Sequence, residues 1–193
     1  MAEETLNNTF QNKFSNIIKK KLKIIIFFII FFILILFSYF FYKDLQNKNE
    51  IKISENFTKA SVQLQENKKN EAKQLLENVI NEDHRFYSPL ALYFIIDNNL
   101  ETDPLKIINF FDRILEINSI DKENLNLIRI KKAIFLFNTG DEKTIIKILN
   151  PIINSDSVWR RMAINLISDY FLSKDQKTKA NEYIQLLSNK IKK

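Results

Sequence analysis

The clusters of residues that could do acid–base or metal chemistry in this chain are few, and they sit in short polar breaks. His84, the single histidine, follows Glu82 and Asp83, and a metal ion bound there needs further ligands that the neighbouring sequence does not supply. Glu101-Thr102-Asp103 and Asp121-Lys122-Glu123 bring carboxylates together, but such pairs act as general acid and base only where a pocket shifts their pKa values. Nothing around them signals a pocket, so they read as solvated turn and cap residues. With one histidine in a turn, no Ser-His-Asp set can be assembled. The chain has no cysteine and one glycine, Gly140. That removes disulfides and thiolate metal sites, phosphate-cradling loops and the glycine turns of hairpin-rich sheets. The reading is of a non-enzyme with no catalytic residue, metal, cofactor or small-molecule substrate.

What the sequence offers instead is an anchor and a surface. Ile24 to Tyr42 is an unbroken apolar run whose one weakly polar member is Ser38. Extended by Leu22, it meets the ~20 residues that a helix rising ~1.5 Å per residue needs to cross a hydrocarbon core. It is apolar all round, so it has no face to turn toward water, and a helix satisfies its own backbone in lipid. A buried core helix is the competing reading, but in so small a chain such a strip would be shorter and interrupted. A cleaved signal peptide has an apolar region of only about 7–15 residues and a small-x-small cleavage site. Here Ser38-Tyr39-Phe40-Phe41-Tyr42-Lys43-Asp44 follows instead. Ile24, Phe32 and Tyr42 mark the start, middle and end of the expected anchor, with Tyr39 and Tyr42 suited to the far interface.

Lys19, Lys20, Lys21 and Lys23 crowd the near edge of the span, and Lys13 precedes them. The basic tail sets the N-terminus in the cytoplasm, and a long following domain translocates largely regardless of its own charge. Net charge is +6, yet from Lys43 onward there are 24 basic and 21 acidic residues. That mixture lacks the concentrated basic stripe of a nucleic-acid surface, whereas the tail lysines can meet anionic lipid. The expected topology is a single crossing of the membrane, with the C-terminal domain outside the cytoplasm.

Beyond the span, Leu and Ile at helical spacing alternate with polar breaks. Phe57, Ala60, Ser61 and Leu64 share a face, and Ala72, Leu75, Leu76, Val79 and Ile80 follow after Glu66 to Asn70. Pro89 opens a second pair at a first-turn position, and Asp103-Pro104 caps and starts its partner. A third pair runs from Asn124 to Phe137, breaks at Asn138 to Asp141, and returns with Ile145, Ile146, Ile148 and Leu149. Pro151 is expected to bend or end that helix. A fourth pair carries Trp159, Ala163, Ile164, Ile167 and Phe171, then Ala180, Tyr183, Ile184 and Leu187. Short breaks make antiparallel neighbours.

Small residues recur across these pairs. Ala60 to Ala72, Ala133 to Ile145 and Ser168 to Ala180 are each steps of 12, while Ala91 to Ile107 is 16. This resembles the tetratricopeptide repeat, a helix pair of about 34 residues; a generic helical bundle is the alternative. The fold expected is therefore all-α. Residues 1–21 are a cytoplasmic basic tail, 22–42 a transmembrane helix and 43–53 a linker or helix extension. Residues 54–193 form a tetratricopeptide-like α-solenoid of about four helix pairs.

Together with Ile148-Leu149-Asn150-Pro151-Ile152, then Val158-Trp159-Arg160 and the apolar helix from Met162 to Leu172, this organisation resembles the bacterial ancillary Sec-translocon subunit family. The likeness covers roughly residues 15–185. It departs in the Ile, Lys and Asn richness of this chain and in the Lys174-Asp175 turn without glycine. It implies an adaptor whose partners are translocon subunits and a periplasmic chaperone or folding factor, besides the lipid bilayer. A structural tether in envelope organisation or cell division is the alternative function.

The first helices of successive repeat pairs line a concave groove in such arrays. Leu90 to Ile96 is apolar all round, more than one buried face requires. Leu92, Ile95, Ile130, Ile134 and Phe137 are therefore candidates to receive an apolar peptide or partner helix. Ile130, Ile134 and Phe137 are spaced to share a face, with Phe137 expected to be partly exposed and Ile134 deeper. The competing reading makes both faces core.

Overall fold

The computed structural model describes residues 2–188, and within the first helix the side chains from Lys21 onward apart from Lys23 and Ile25. Among the described residues every regular element is helical: α1 (Ala2–Gln65), α2 (Lys69–Asn81), α3 (Tyr87–Asp97), α4 (Pro104–Leu115), α5 (Lys122–Phe135), α6 (Glu142–Ile153), α7 (Arg160–Ser173) and α8 (Lys177–Gln185). The chain divides into two compact units, Met1–Lys52 and Ile53–Lys193.

In the first unit, α1 carries the apolar run as one uninterrupted helix, long and apolar enough to cross a membrane near the N-terminus. None of its most apolar window is covered by protein, which sets it apart from a core helix. Ile24, Phe32 and Tyr42 all stand exposed. The helix continues unbroken through residues 43–53, so no irregular linker occurs there.

In the second unit, two hydrophobic clusters hold the helices. Ile53 and Ala60 from the end of α1 join Ala72, Leu76, Val79, Leu92, Ile95, Phe111 and Ile114 in the first. Ile130, Ala133, Ile145, Leu149, Ala163, Ile167, Phe171 and Ala180 form the second. The two meet within α5, where Ile128 belongs to one and Ile130 to the other. Two residues on a helix are ~200° apart, so α5 is buried on opposite sides. The steps of 12 seen in the sequence mark these contacts: Ala60, Ala72, Ala133, Ile145, Ser168 and Ala180 are all buried at 0–1 % exposure. Contacts run chiefly between sequence neighbours from α2 to α8, and α5 also touches α7.

Helix starts are set by side chains placed to accept free backbone N–H groups. Asp103 accepts from Leu105, Asp121 from Glu123 and Asn124, and Asp141 from Thr144, at 2.8–3.1 Å. Helix ends need left-handed residues, which glycine usually supplies; here Asn67, Asp83, Asn99 and Asp175 have φ of 50–59° instead. At Asn99, its N–H bonds Ile96 and that of Leu100 bonds Ile95, the doubled closure of a Schellman turn. Asn67 and Asp175 close α1 and α7 in the same way. A short polar side chain tolerates this conformation best after glycine. Gly140 itself has no positive φ. A Cβ there would lie 2.9 Å from the Leu136 carbonyl oxygen and 3.2 Å from Ile145 Cδ1, so its lack of a side chain lets α5 hand over to α6.

Helix α6 runs to Ile153, two residues past Pro151. Two details differ from the sequence expectation. Ile184 is 43 % exposed, because Ala180, Tyr183 and Leu187 supply the packed face of the last segment and Ile184 lies at its edge. Glu101 is not solvated: its side chain is 6 % exposed and is held by Lys73 at 2.8 Å and Lys106 at 3.3 Å.

Candidate partner-binding groove

The polar clusters resolve into structural devices. His84 Nδ1 accepts from the backbone N–H groups of Phe86 and Tyr87, both at 3.1 Å. The backbone N–H of His84 donates to the buried Ser88 hydroxyl, which in turn donates to the Val79 carbonyl. The histidine therefore shapes the α2–α3 turn. Arg113 locks the same turn with two bonds to Asp83 and one to the Asn81 carbonyl. Glu101 ties α2 and α4 to the loop between α3 and α4, accepting also from Thr102 and Asp103 N–H groups. The Lys73 ammonium, foremost among these donors, holds its carboxyl down at about 2. Arg160, of the Trp-Arg pair, donates to the carbonyls of Ile153 and Leu186 and so closes the ends of α6 and α8. Among the described residues, no group of three or more His, Asp or Glu side chains is placed to hold a metal ion.

Among the described residues an open groove lies between α3 and α5. At one end a cavity of about 160 Å³ is lined by Arg85, Phe86, Pro89, Leu90 and Tyr93 facing Asn124, Leu127 and Ile128. At the other a cavity of about 180 Å³ is lined by Tyr93, Ile96 and Asp97 facing Lys131, Ile134 and Phe135 over Phe111 of α4. Tyr93 borders both. The starts of α3 and α5 share the first cavity and their ends share the second, so the two helices run in the same direction. Phe86 is 61 % and Ile134 55 % exposed, forming an apolar lip at each end. Lys131 lies over the Tyr93 ring, 4.3 Å from its centroid. Burial pushes the Tyr93 phenol up to about 12, so it stays protonated.

The residues singled out in the sequence divide between core and groove. Leu92 and Ile95 are 0 % exposed and Ile130 is 1 % exposed. These three are core side chains and offer a partner no surface. Ile134 lines the second cavity and is not the deeper residue: Ala133 takes the buried direction, and the next residue turns ~100° away from it. Phe137 is half-buried, its ring edge-on to Tyr170 at 6.0 Å. It lies beyond the end of α5, so it does not continue the Ile130–Ile134 row. Arg85, Phe86, Leu90, Tyr93, Leu127 and Lys131 were not singled out. For Leu90 and Tyr93 the signal was the second apolar side of Leu90 to Ile96, which buried Leu92 and Ile95 leave unused; Arg85, Phe86, Leu127 and Lys131 had no such local signal. Lys21 is exposed, whereas the side chains of Lys19, Lys20 and Lys23 lie outside the described residues.

Comparison with protein-family models, curated proteins and solved structures returns no match.

Proposed function

We propose that the protein is a single-pass membrane adaptor whose helical domain binds other proteins through the α3–α5 groove. The observation that carries this reading is the pairing, in one chain, of an uncovered membrane-length helix with an open apolar groove. An anchor holds such a binding surface at a membrane, which is what an adaptor requires. Orientation follows from the lysines before the span: the N-terminus is cytoplasmic and the helical domain lies on the far side of a bacterial inner membrane. The resemblance in sequence organisation points to the Sec translocon and a periplasmic chaperone or folding factor as partners. Affinity purification of the full chain from solubilised membranes tests this. Co-isolation of translocon or chaperone components, lost on Leu127→Asp, is the expected result. Their absence under conditions that retain intact translocon overturns the translocon assignment.

A further inference from the structure

We propose that the groove takes an amphipathic α-helix of a partner protein, with two apolar side chains one heptad apart and a carboxylate in its last turn beside Arg85. This rests on the adaptor reading and specifies the ligand of the same groove. Spacing is the first support. From α3 and the residue that precedes it, the first cavity draws on Phe86, Pro89 and Leu90 and the second on Ile96 and Asp97, with Tyr93 between. On α5 the two sets are Asn124, Leu127, Ile128 and Lys131, Ile134, Phe135. Each wall therefore offsets the cavities by about seven residues, or ~10 Å at 1.5 Å per residue. Side chains i and i+7 of a docked helix have that separation and face the same way. The cavities suit one large apolar side chain each, since roughly 150 Å³ holds a benzene ring.

Charge supplies the direction. Arg85 lies at the first cavity, where two helix N-termini also bring partial positive charge. Asp97 lies at the second with two C-termini, and Lys131, the cation at that end, is engaged over the Tyr93 ring. Among the described residues Arg85 forms no ion pair with a carboxylate. A docked helix running antiparallel to α3 and α5 places its negative end at Arg85, and an acidic residue in its last turn completes the pairing.

The test uses the full chain in lipid nanodiscs and fluorescein-labelled synthetic helices, with empty nanodiscs as the blank. One peptide has leucines seven apart and Glu in its last turn. A second has the leucines five apart, and a third has the Glu moved to the first turn. The first is expected to bind about tenfold tighter than either of the others. Arg85→Glu is expected to weaken it about tenfold, and exchanging the peptide's Glu for Lys to recover binding to that variant. Equal binding of the first two peptides, or indifference to Arg85→Glu, overturns the proposal. Trp159 fluorescence confirms that the variant is folded. A photo-crosslinker at Leu127 or Ile134 in cells separates the two levels. Crosslinks to a protein without heptad selectivity overturn the helix geometry and leave the adaptor reading standing, while loss of both overturns both.

Discussion

Two isoleucines one turn apart on α5 give the sharpest contrast the fold offers. Ile130 is 1 % exposed and sits in the second cluster, while Ile134 is 55 % exposed at the lip of the groove. Truncation to Ala removes the same three carbons from each. For Ile130, burial of those carbons is worth about 0.8 kcal/mol each, and the cavity left behind brings the cost to about 2–5 kcal/mol. For Ile134, less than half of the side chain is covered, so the cost is about 1 kcal/mol or less. A domain of this size shifts by roughly 3–5 °C per kcal/mol. Trp159 is the only tryptophan and packs against the second cluster, so its fluorescence reports the melting of the full chain in nanodiscs. Ile130→Ala is expected to lower the midpoint by about 6–25 °C. Ile134→Ala is expected to move it by less than about 5 °C while reducing partner binding. Equal shifts at both positions, with binding unchanged, would refute the assignment of Ile134 to an open surface.

Other outcomes follow from the helix ends and the ion cluster. Gly140→Ala places a Cβ against a carbonyl oxygen that cannot move without its helix, and thermal denaturation should show a loss of about 1–3 kcal/mol. At Asp175, φ of 57° means that Asp175→Val lowers the midpoint by roughly 1 kcal/mol equivalent while Asp175→Gly holds or raises it. Asp121→Ala removes the cap of α5 and should cost about 1 kcal/mol. Glu101 has a folded pKa below its unfolded value, so its contribution is present above about pH 4.5, the ordinary glutamate value, and is lost as pH falls toward about 2. Glu101→Gln should lower stability at neutral pH and flatten its decline across that acid window, as read by denaturant unfolding.

Much of the architecture was legible because helices announce themselves locally. The apolar run, the Asp caps before α4 and α5, and the steps of 12 between small residues each have a cause within a few residues of sequence. The groove was harder to read because it is made by two segments about 35 residues apart, and by which side of α3 its neighbours leave uncovered. Leu90 to Ile96 is apolar all round, so periodicity alone could not tell buried Leu92 from groove-lining Leu90. The Ile130–Ile134–Phe137 row failed for two reasons: within α5 Ile134 is turned away from the buried side held by Ile130 and Ala133, and α5 closes at Phe135, short of Phe137. Glu101 looked like a turn residue because the lysines that bury it, Lys73 and Lys106, come from α2 and α4 and are invisible to a local reading.

The central claim, a protein-binding groove on a membrane-anchored helical domain, is tested most directly by photo-crosslinking from single positions of the full chain in intact cells. Leu127 and Ile134 report the groove, and Leu105, 69 % exposed on α4 and not a lining residue of either cavity, is the control. The account predicts discrete crosslinked protein products from the groove positions in the membrane fraction and none from Leu105. Products of equal yield from Leu105, or none from Leu127 and Ile134 in a folded, membrane-inserted chain, would contradict it.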